Sequence, residues 1–193
     1  GISIMYADAA YLFAAQDADP SVTISFPKEV DTFPSELAYQ MSDFSSWGVA
    51  PDMSLEPDIT APGGNIYSTV DGGYGLMSGT SMAAPNISGL TALVMEHVKE
   101  TMPELDATQI RVMAQHLLTS TASPLTYDAG TWYSPRQQGT GLANAFNAVT
   151  TTGYLTVDGV DMPKVELGDD DDRTGAYSYS FNVHNFGDGK AFY

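Results

Sequence analysis

Between residues 81 and about 99 the apolar side chains Met82, Ile87, Leu90, Leu93, Val94 and Val98 recur mostly at helical intervals, with alanines and Gly89 between them. The pattern predicts a mostly buried helix. Pro103 breaks it, and Asp106 with Gln109 forms a capping box for a second helix running to about residue 120, whose Ile110, Met113, Leu117 and Leu118 make one apolar face. A third helix is predicted to open at 139–141 and run through 149. Ahead of the long helix, residues 66–70 and 74–78 read as two strands about an Asp71-Gly72-Gly73 hairpin turn. From residue 153 the period changes to two. Residues 154–157, 163–167 and 177–183 read as strands, with Asp158-Gly159 as a turn; in the last, Tyr177, Tyr179, Phe181 and Val183 alternate against Ser178, Ser180 and Asn182.

The amino-terminal part is less regular. Residues 1–6 read as a buried strand, 8–16 as a short helix, Asp19-Pro20 as a turn and 22–26 as a half-buried strand. Residues 27–41 form an exposed connector, and 41–47 a strand or extended segment. Ala61-Pro62-Gly63-Gly64 is a turn signal. Residues 124–135 are read as a loop whose Tyr127, Trp132 and Tyr133 cover the domain edge, since they do not recur on one face; a sugar- or peptide-stacking surface is the alternative.

Charge narrows the list of partners. Seven basic against 24 acidic residues give a net charge of −17, which argues against a nucleic-acid backbone and against an anionic membrane surface. Cysteine is absent, so disulfides, thiolate nucleophiles and thiolate metal sites are excluded. There is no apolar run long enough to cross a bilayer, and residues 1–6 do not have the build of a signal peptide. Gly1 does not look like a natural start.

The stretch with the most chemistry is Gly79-Thr80-Ser81-Met82-Ala83-Ala84-Pro85, a glycine and two hydroxyl residues set against the long helix. The first turn of a helix carries unpaired N–H groups and the positive end of its dipole, and Pro85 is tolerated in that turn because the N–H it lacks would have had no partner. Gly79 allows a substrate or another backbone to come close, so a reacting carbonyl over Ser81 would find an amide aimed at its developing oxyanion. Taken alone, the same letters also suit an ordinary cap, because serine and threonine are favoured at helix starts.

The longer string resembles the nucleophile signature of subtilisin-like serine proteases, the subtilases. Phe44-Ser45-Ser46-Trp47-Gly48, Pro57-Asp58-Ile59-Thr60-Ala61-Pro62-Gly63 and Gln138-Gly139-Thr140-Gly141 stand where that family has similar segments. The resemblance is closest to the cell-envelope type, similar to lactocepin and the streptococcal peptidase that cuts complement C5a. It implies an α/β fold: residues 27–152 would be the C-terminal part of a parallel-sheet catalytic domain, 1–26 the tail of a protease-associated insert, and 153–193 the start of a fibronectin type III-like sandwich. It implies Ser81 as catalytic nucleophile with its own amide in the oxyanion hole, Thr80 and Gly79 supporting that hole, and Met82 lining the leaving-group side. The family usually has histidine and a small apolar residue after the proline, where this chain has Asn86-Ile87; that histidine is not the base, so activity is expected to survive.

A serine nucleophile needs a base and a carboxylate to orient it. The chain has three histidines. His97 is sixteen positions beyond Ser81 on the same helix, roughly 24 Å away at about 1.5 Å per residue. His116 falls in the second helix and His184 among the late strands. The triad aspartate, the triad histidine and the oxyanion asparagine of the family are therefore expected before Gly1, and these 193 residues alone are expected to be inactive. Ser45 and Ser46 lack a helix start and a base. Asp52, Glu56 and Asp58 are read as a structured loop, Asp58 bonded to backbone, rather than as metal ligands. The acidic run 169–172 lacks the spaced oxygen ligands of a calcium loop and is read as a solvated turn; no cofactor is called for, and structural calcium is not indicated by this segment.

The expected function is a secreted or cell-wall-attached bacterial serine endopeptidase acting on protein or peptide substrates together with the N-terminal half of the same protease. The competing expectation is a degenerate subtilase that binds peptide or wall polymer without cutting it.

Overall fold

The computed structural model describes residues 6–23, 37–128, 130–157 and 162–189. The chain divides into two units, residues 1–38 and 39–193. The first holds helix α1 (Tyr6–Ala18), followed by a turn in which Asp19 accepts the amide of Ser21 at 2.9 Å and its carbonyl accepts that of Val22 at 3.0 Å. The helix begins two residues before the sequence suggests and takes in Tyr6, which was assigned to a strand. Residues 1–5 and 24–26, the rest of the two expected strands, lie outside the described residues, as does most of the connector. Residues 22 and 23 are not in a strand.

The second unit contains β1 (Ile66–Val70), β2 (Gly73–Met77), α2 (Thr80–Thr101), α3 (Ala107–Ser120), β3 (Thr126–Asp128), β4 (Thr131–Trp132), α4 (Pro135–Gln138), α5 (Ala145–Thr150), β5 (Gly153–Val157) and β6 (Phe181–Asn185). β1 and β2 pair antiparallel from Ile66↔Met77 to Val70↔Gly73 across Asp71-Gly72, as the turn signal predicts. The α3 cap also follows the sequence: the Asp106 carboxylate accepts the amides of Thr108 and Gln109 at 2.8 and 2.9 Å, and Gln109 Oε1 accepts the Asp106 amide at 2.9 Å.

The core lies where α2, α3 and α5 meet. Val94 and Val98 of α2, Ala114, Leu117 and Leu118 of α3 and Ala148 of α5 are buried, with Ile59, Leu90, Met113 and Tyr154 packed around them. Helix α2 is not mostly buried as its composition suggests. Only Val94 and Val98 are fully covered while Leu93 is 57 % exposed, because its two helical neighbours cover a single face.

Other expectations change with the pairing actually made. The 124–135 segment is a short hairpin, β3 with β4, and not an irregular loop. The last helix starts at Ala145 because Asn144 caps it, its Oδ1 accepting the Asn147 amide at 3.1 Å; residues 139–143 are used in backbone contacts instead. Residues 41–47 form no strand, and the Ser45 amide donates back to the Ser42 carbonyl at 3.0 Å. β6 begins only at Phe181, since β5 offers five residues to pair and these are matched from Gly153↔Asn185 to Val157↔Phe181. Residues 163–167 form no strand; Lys164 and Glu166 bond the 55–58 loop instead. The parallel sheet is represented among the described residues by one bridge, Thr60↔Leu142, and the named strands form three two-stranded antiparallel sheets.

Candidate active site

Three of the motif segments converge on the start of α2 and the loop that feeds it. The Gly79 amide donates to the Gly63 carbonyl at 2.8 Å, which joins the Ala61-Pro62-Gly63 turn to the residue before the helix. The approach is close: a Cβ on Gly63 would lie 2.8 Å from the Gly79 carbonyl oxygen and 3.2 Å from the Ala83 Cβ. Gly79 has φ 157° and ψ 160°, a backbone region open essentially to glycine alone. The Gln138–Gly141 stretch lies alongside 58–60. Thr140 donates its amide and hydroxyl to the Asp58 carbonyl at 2.9 and 3.0 Å, the Thr60 amide donates to the Gly141 carbonyl at 2.9 Å, and the Ala143 amide to the Thr60 carbonyl at 2.9 Å. Gly48 joins the same frame, its amide donating to the Arg136 carbonyl at 2.7 Å while Arg136 Nε donates to the Gly48 carbonyl at 2.9 Å.

Within this frame Thr80 and Ser81 are the first two residues of α2, and both are exposed. Gly79 occupies the cap position and no side chain caps the helix. The Met82 amide turns back to the Gly79 carbonyl at 3.0 Å, which leaves the amides of Thr80 and Ser81 without a backbone partner among the described residues. The Ser81 hydroxyl likewise has no hydrogen-bond partner there. It is free at the positive end of a 22-residue helix dipole, with Gly79 and Met82 half-buried beside it. Because the helix starts at Thr80, Pro85 sits in its second turn and not the first; the amide it lacks would have bonded the Ser81 carbonyl.

None of the three histidines supplies a described contact to Ser81. His97 lies four turns along α2. His116 is 7 % exposed and stacks on Tyr154 with ring centroids 4.9 Å apart; His184 stacks on the other partner side of the same residue at 4.5 Å and shares a 2.9 Å hydrogen bond with the Thr156 hydroxyl. His116 thus belongs to the packing of α3 against β5, and His184 to the pairing of β6 with β5.

Asp58 departs from the expectation that its carboxylate bonds backbone. Its carbonyl takes the backbone role, while Oδ1 lies 2.6 Å from Lys164 Nζ, which also sits 3.5 Å from Glu56 Oε1. Burial pulls the Lys164 ammonium down, but the hydrogen bond and charge of Asp58, with Glu56 behind it, outweigh that and hold its pKa above the ordinary lysine value. Asp52 is bonded by the amide and hydroxyl of Ser54 at 3.1 and 2.7 Å. Asp170 accepts the amides of Thr174 and Gly175 at 3.0 and 2.6 Å, so the acidic run is a self-bonded turn. Sequence reasoning also missed Gln138, 3 % exposed: its amide bonds both the amide and carbonyl of Leu125 and the carbonyl of Tyr133, locking β3 and β4 to α4. A buried amide at a motif's first position was the available signal.

An exposed serine at a glycine-capped helix start, backed by an Ala-Pro-Gly turn and a Gln-Gly-Thr-Gly segment, is the arrangement for which the family comparison is decisive. The model of the Subtilase family matches residues 2–153, and the chain belongs to that family, with its α/β fold represented in part. Among individual relatives, the C5a peptidase of Streptococcus pyogenes is 34% identical over 172 residues, covering 88% of this chain and 14% of that protein. The PII-type proteinase of Lactococcus lactis subsp. cremoris is 38% identical over 144 residues, covering 67% of this chain and 8% of that protein. The chain thus spans about a seventh or less of the length of these relatives. Of solved structures, the Clostridium perfringens CspB protease is 35% identical over 56% of this chain and 22% of its own, with a TM-score of 0.45.

Proposed function

We propose that this chain is the nucleophile-bearing part of a serine endopeptidase that hydrolyses peptide bonds through an acyl-enzyme on Ser81. The Ser81 oxygen attacks the scissile carbonyl as its proton passes to a histidine base. The tetrahedral oxyanion is held by the Ser81 amide, supported by Thr80 and Gly79, and by an asparagine. Collapse of the intermediate breaks the C–N bond, with the base returning the proton to the leaving amine on the Met82 side. Water then hydrolyses the ester. The histidine, its aspartate and the asparagine come from sequence preceding Gly1, so the other partner in the site is the N-terminal half of the same protease. In this reading residues 1–26 end a protease-associated insert, 153–193 begin a fibronectin-type sandwich, and the parent is extracellular, secreted or attached to the cell wall.

The observation that carries the proposal is the Ser81 hydroxyl, exposed at the helix start and not spent on capping it. The test is hydrolysis of an unfolded protein substrate by the full-length parent. A Ser81→Ala variant should lose turnover by at least roughly a thousandfold. Equal turnover would overturn the mechanism, and a parent without turnover that still binds peptide would favour the non-cutting module.

A further inference from the structure

Residues 162–167 lie beyond the region matched by the family model, yet they are bonded to the loop that sets the start of α2. Lys164 reaches Asp58 Oδ1 at 2.6 Å and Glu56 Oε1 at 3.5 Å, with its own side chain only 16% exposed. Two residues on, Glu166 Oε1 accepts the Leu55 amide at 3.0 Å. The segment is itself anchored, since Gln115 Nε2 of α3 lies 2.9 Å from Met162 Sδ and the Val157 amide of β5 donates to the Met162 carbonyl at 3.3 Å.

The Asp58 oxygen is buried, and no donor other than the Lys164 ammonium approaches it among the described residues. The Asp58 side chain as a whole is 38% exposed, so removing that ammonium leaves only Oδ1 without a partner, and the carboxylate regains one by turning that oxygen toward water and drawing its backbone with it. That backbone is not free to move alone. The Asp58 carbonyl holds Thr140, Thr60 is bonded on both sides to the 141–143 segment, and three residues later the Gly63 carbonyl takes the Gly79 amide at 2.8 Å. Every link between residue 164 and the residue that caps α2 is a hydrogen bond, an ion pair or the intervening chain.

We propose that Lys164 is a positioning residue for the Ser81 site, acting through Asp58 and the 58–63 segment on the Gly63–Gly79 contact. The segment that follows the matched family region is thereby a working part of the site. This rests on Ser81 being the nucleophile.

The experiment uses the full-length protein and two readouts: the rate at which a fluorophosphonate labels Ser81, and hydrogen exchange at the amides of 58–61, 63 and 79. Lys164→Met should slow labelling roughly tenfold to a hundredfold, as expected for sub-ångström displacement of a nucleophile, and speed exchange at those amides. Lys164→Arg, which keeps the cation, should recover most of the rate. If Lys164→Met does not fold, the double variant Lys164→Met with Asp58→Asn, which removes the stranded charge, should fold and label faster than any Asp58-containing variant that lacks the cation. Labelling at the parent rate with unchanged exchange in Lys164→Met overturns the proposal while leaving Ser81 as nucleophile. A parent that never labels refutes the nucleophile, and the positioning role falls with it whatever the exchange between Asp58 and Gly63 shows.

Discussion

Gly63 and Gly79 meet face to face behind the serine, and neither can carry a methyl group. For Gly63 the obstacle is the Gly79 carbonyl at 2.8 Å from where the Cβ would be; for Gly79 it is a φ of 157°. Gly63→Ala should destabilise the residue 39–193 unit by roughly 1–3 kcal/mol through overpacking, and Gly79→Ala by a similar amount through backbone strain, both measured as a shift in the urea midpoint. Gly63→Ala should also slow labelling of Ser81, which it never touches. At this scale the sequence makes the serine conspicuous, because its neighbours spell a long and unusual string. It hides the partner of Asp58. Lys164 lies 106 positions away, and no local pattern links a lysine in a period-two stretch to an aspartate in a proline-rich loop. Pro85 falls in the second turn and not the first for a local reason: the cap is Gly79, so the helix begins at Thr80, two residues earlier than a Ser81 cap would put it.

Element boundaries were legible wherever a side chain announces them. Asp106 and Gln109 complete the capping box of α3, and Asp106→Ala should cost about 1 kcal/mol, read as a lowered thermal midpoint for this unit. The β1–β2 hairpin was equally plain from Asp71-Gly72. Legibility failed where pairing, and not pattern, decides. Tyr177 and Tyr179 alternate as well as Phe181 and Val183 do, but β5 has no residues left to meet them. The 163–167 segment has the right period for a strand and is held by its Lys164 and Glu166 side chains instead. The aromatic-rich 124–135 segment closes as a hairpin because Gln138, outside it, bonds Leu125 and Tyr133 together.

Across the molecule, 24 acidic and seven basic residues leave cations scarce, and Lys164 is shared between Asp58 and Glu56. Its pKa stands above the ordinary 10.5, so the bond it makes contributes in full below that pH and is lost as pH rises through the higher, folded-state value. Unfolding midpoints taken from pH 9 upward should therefore fall more steeply for the parent than for Lys164→Met; parallel curves would mean that the pair contributes nothing to stability. Carboxylates at Asp19, Asp52 and Asp170 are held below their usual range by local hydrogen bonds, so their small contributions fade at the acid end as pH falls through those lowered values. The helical core was legible in the long apolar stretches, while the α/β class came only from the family resemblance. The parallel sheet was not recovered beyond a single bridge, since Thr60 and Leu142 are the only residues here that pair in that sense among those described.

The central claim is that one hydroxyl, freed by a glycine cap, attacks peptide carbonyls. Treating the full-length protein with a fluorophosphonate, digesting it and locating the adduct by mass spectrometry tests this directly. The expected result is a single modified peptide with the phosphonate on Ser81, absent from the Ser81→Ala variant. An adduct on any other residue, or undiminished labelling of that variant, would contradict it.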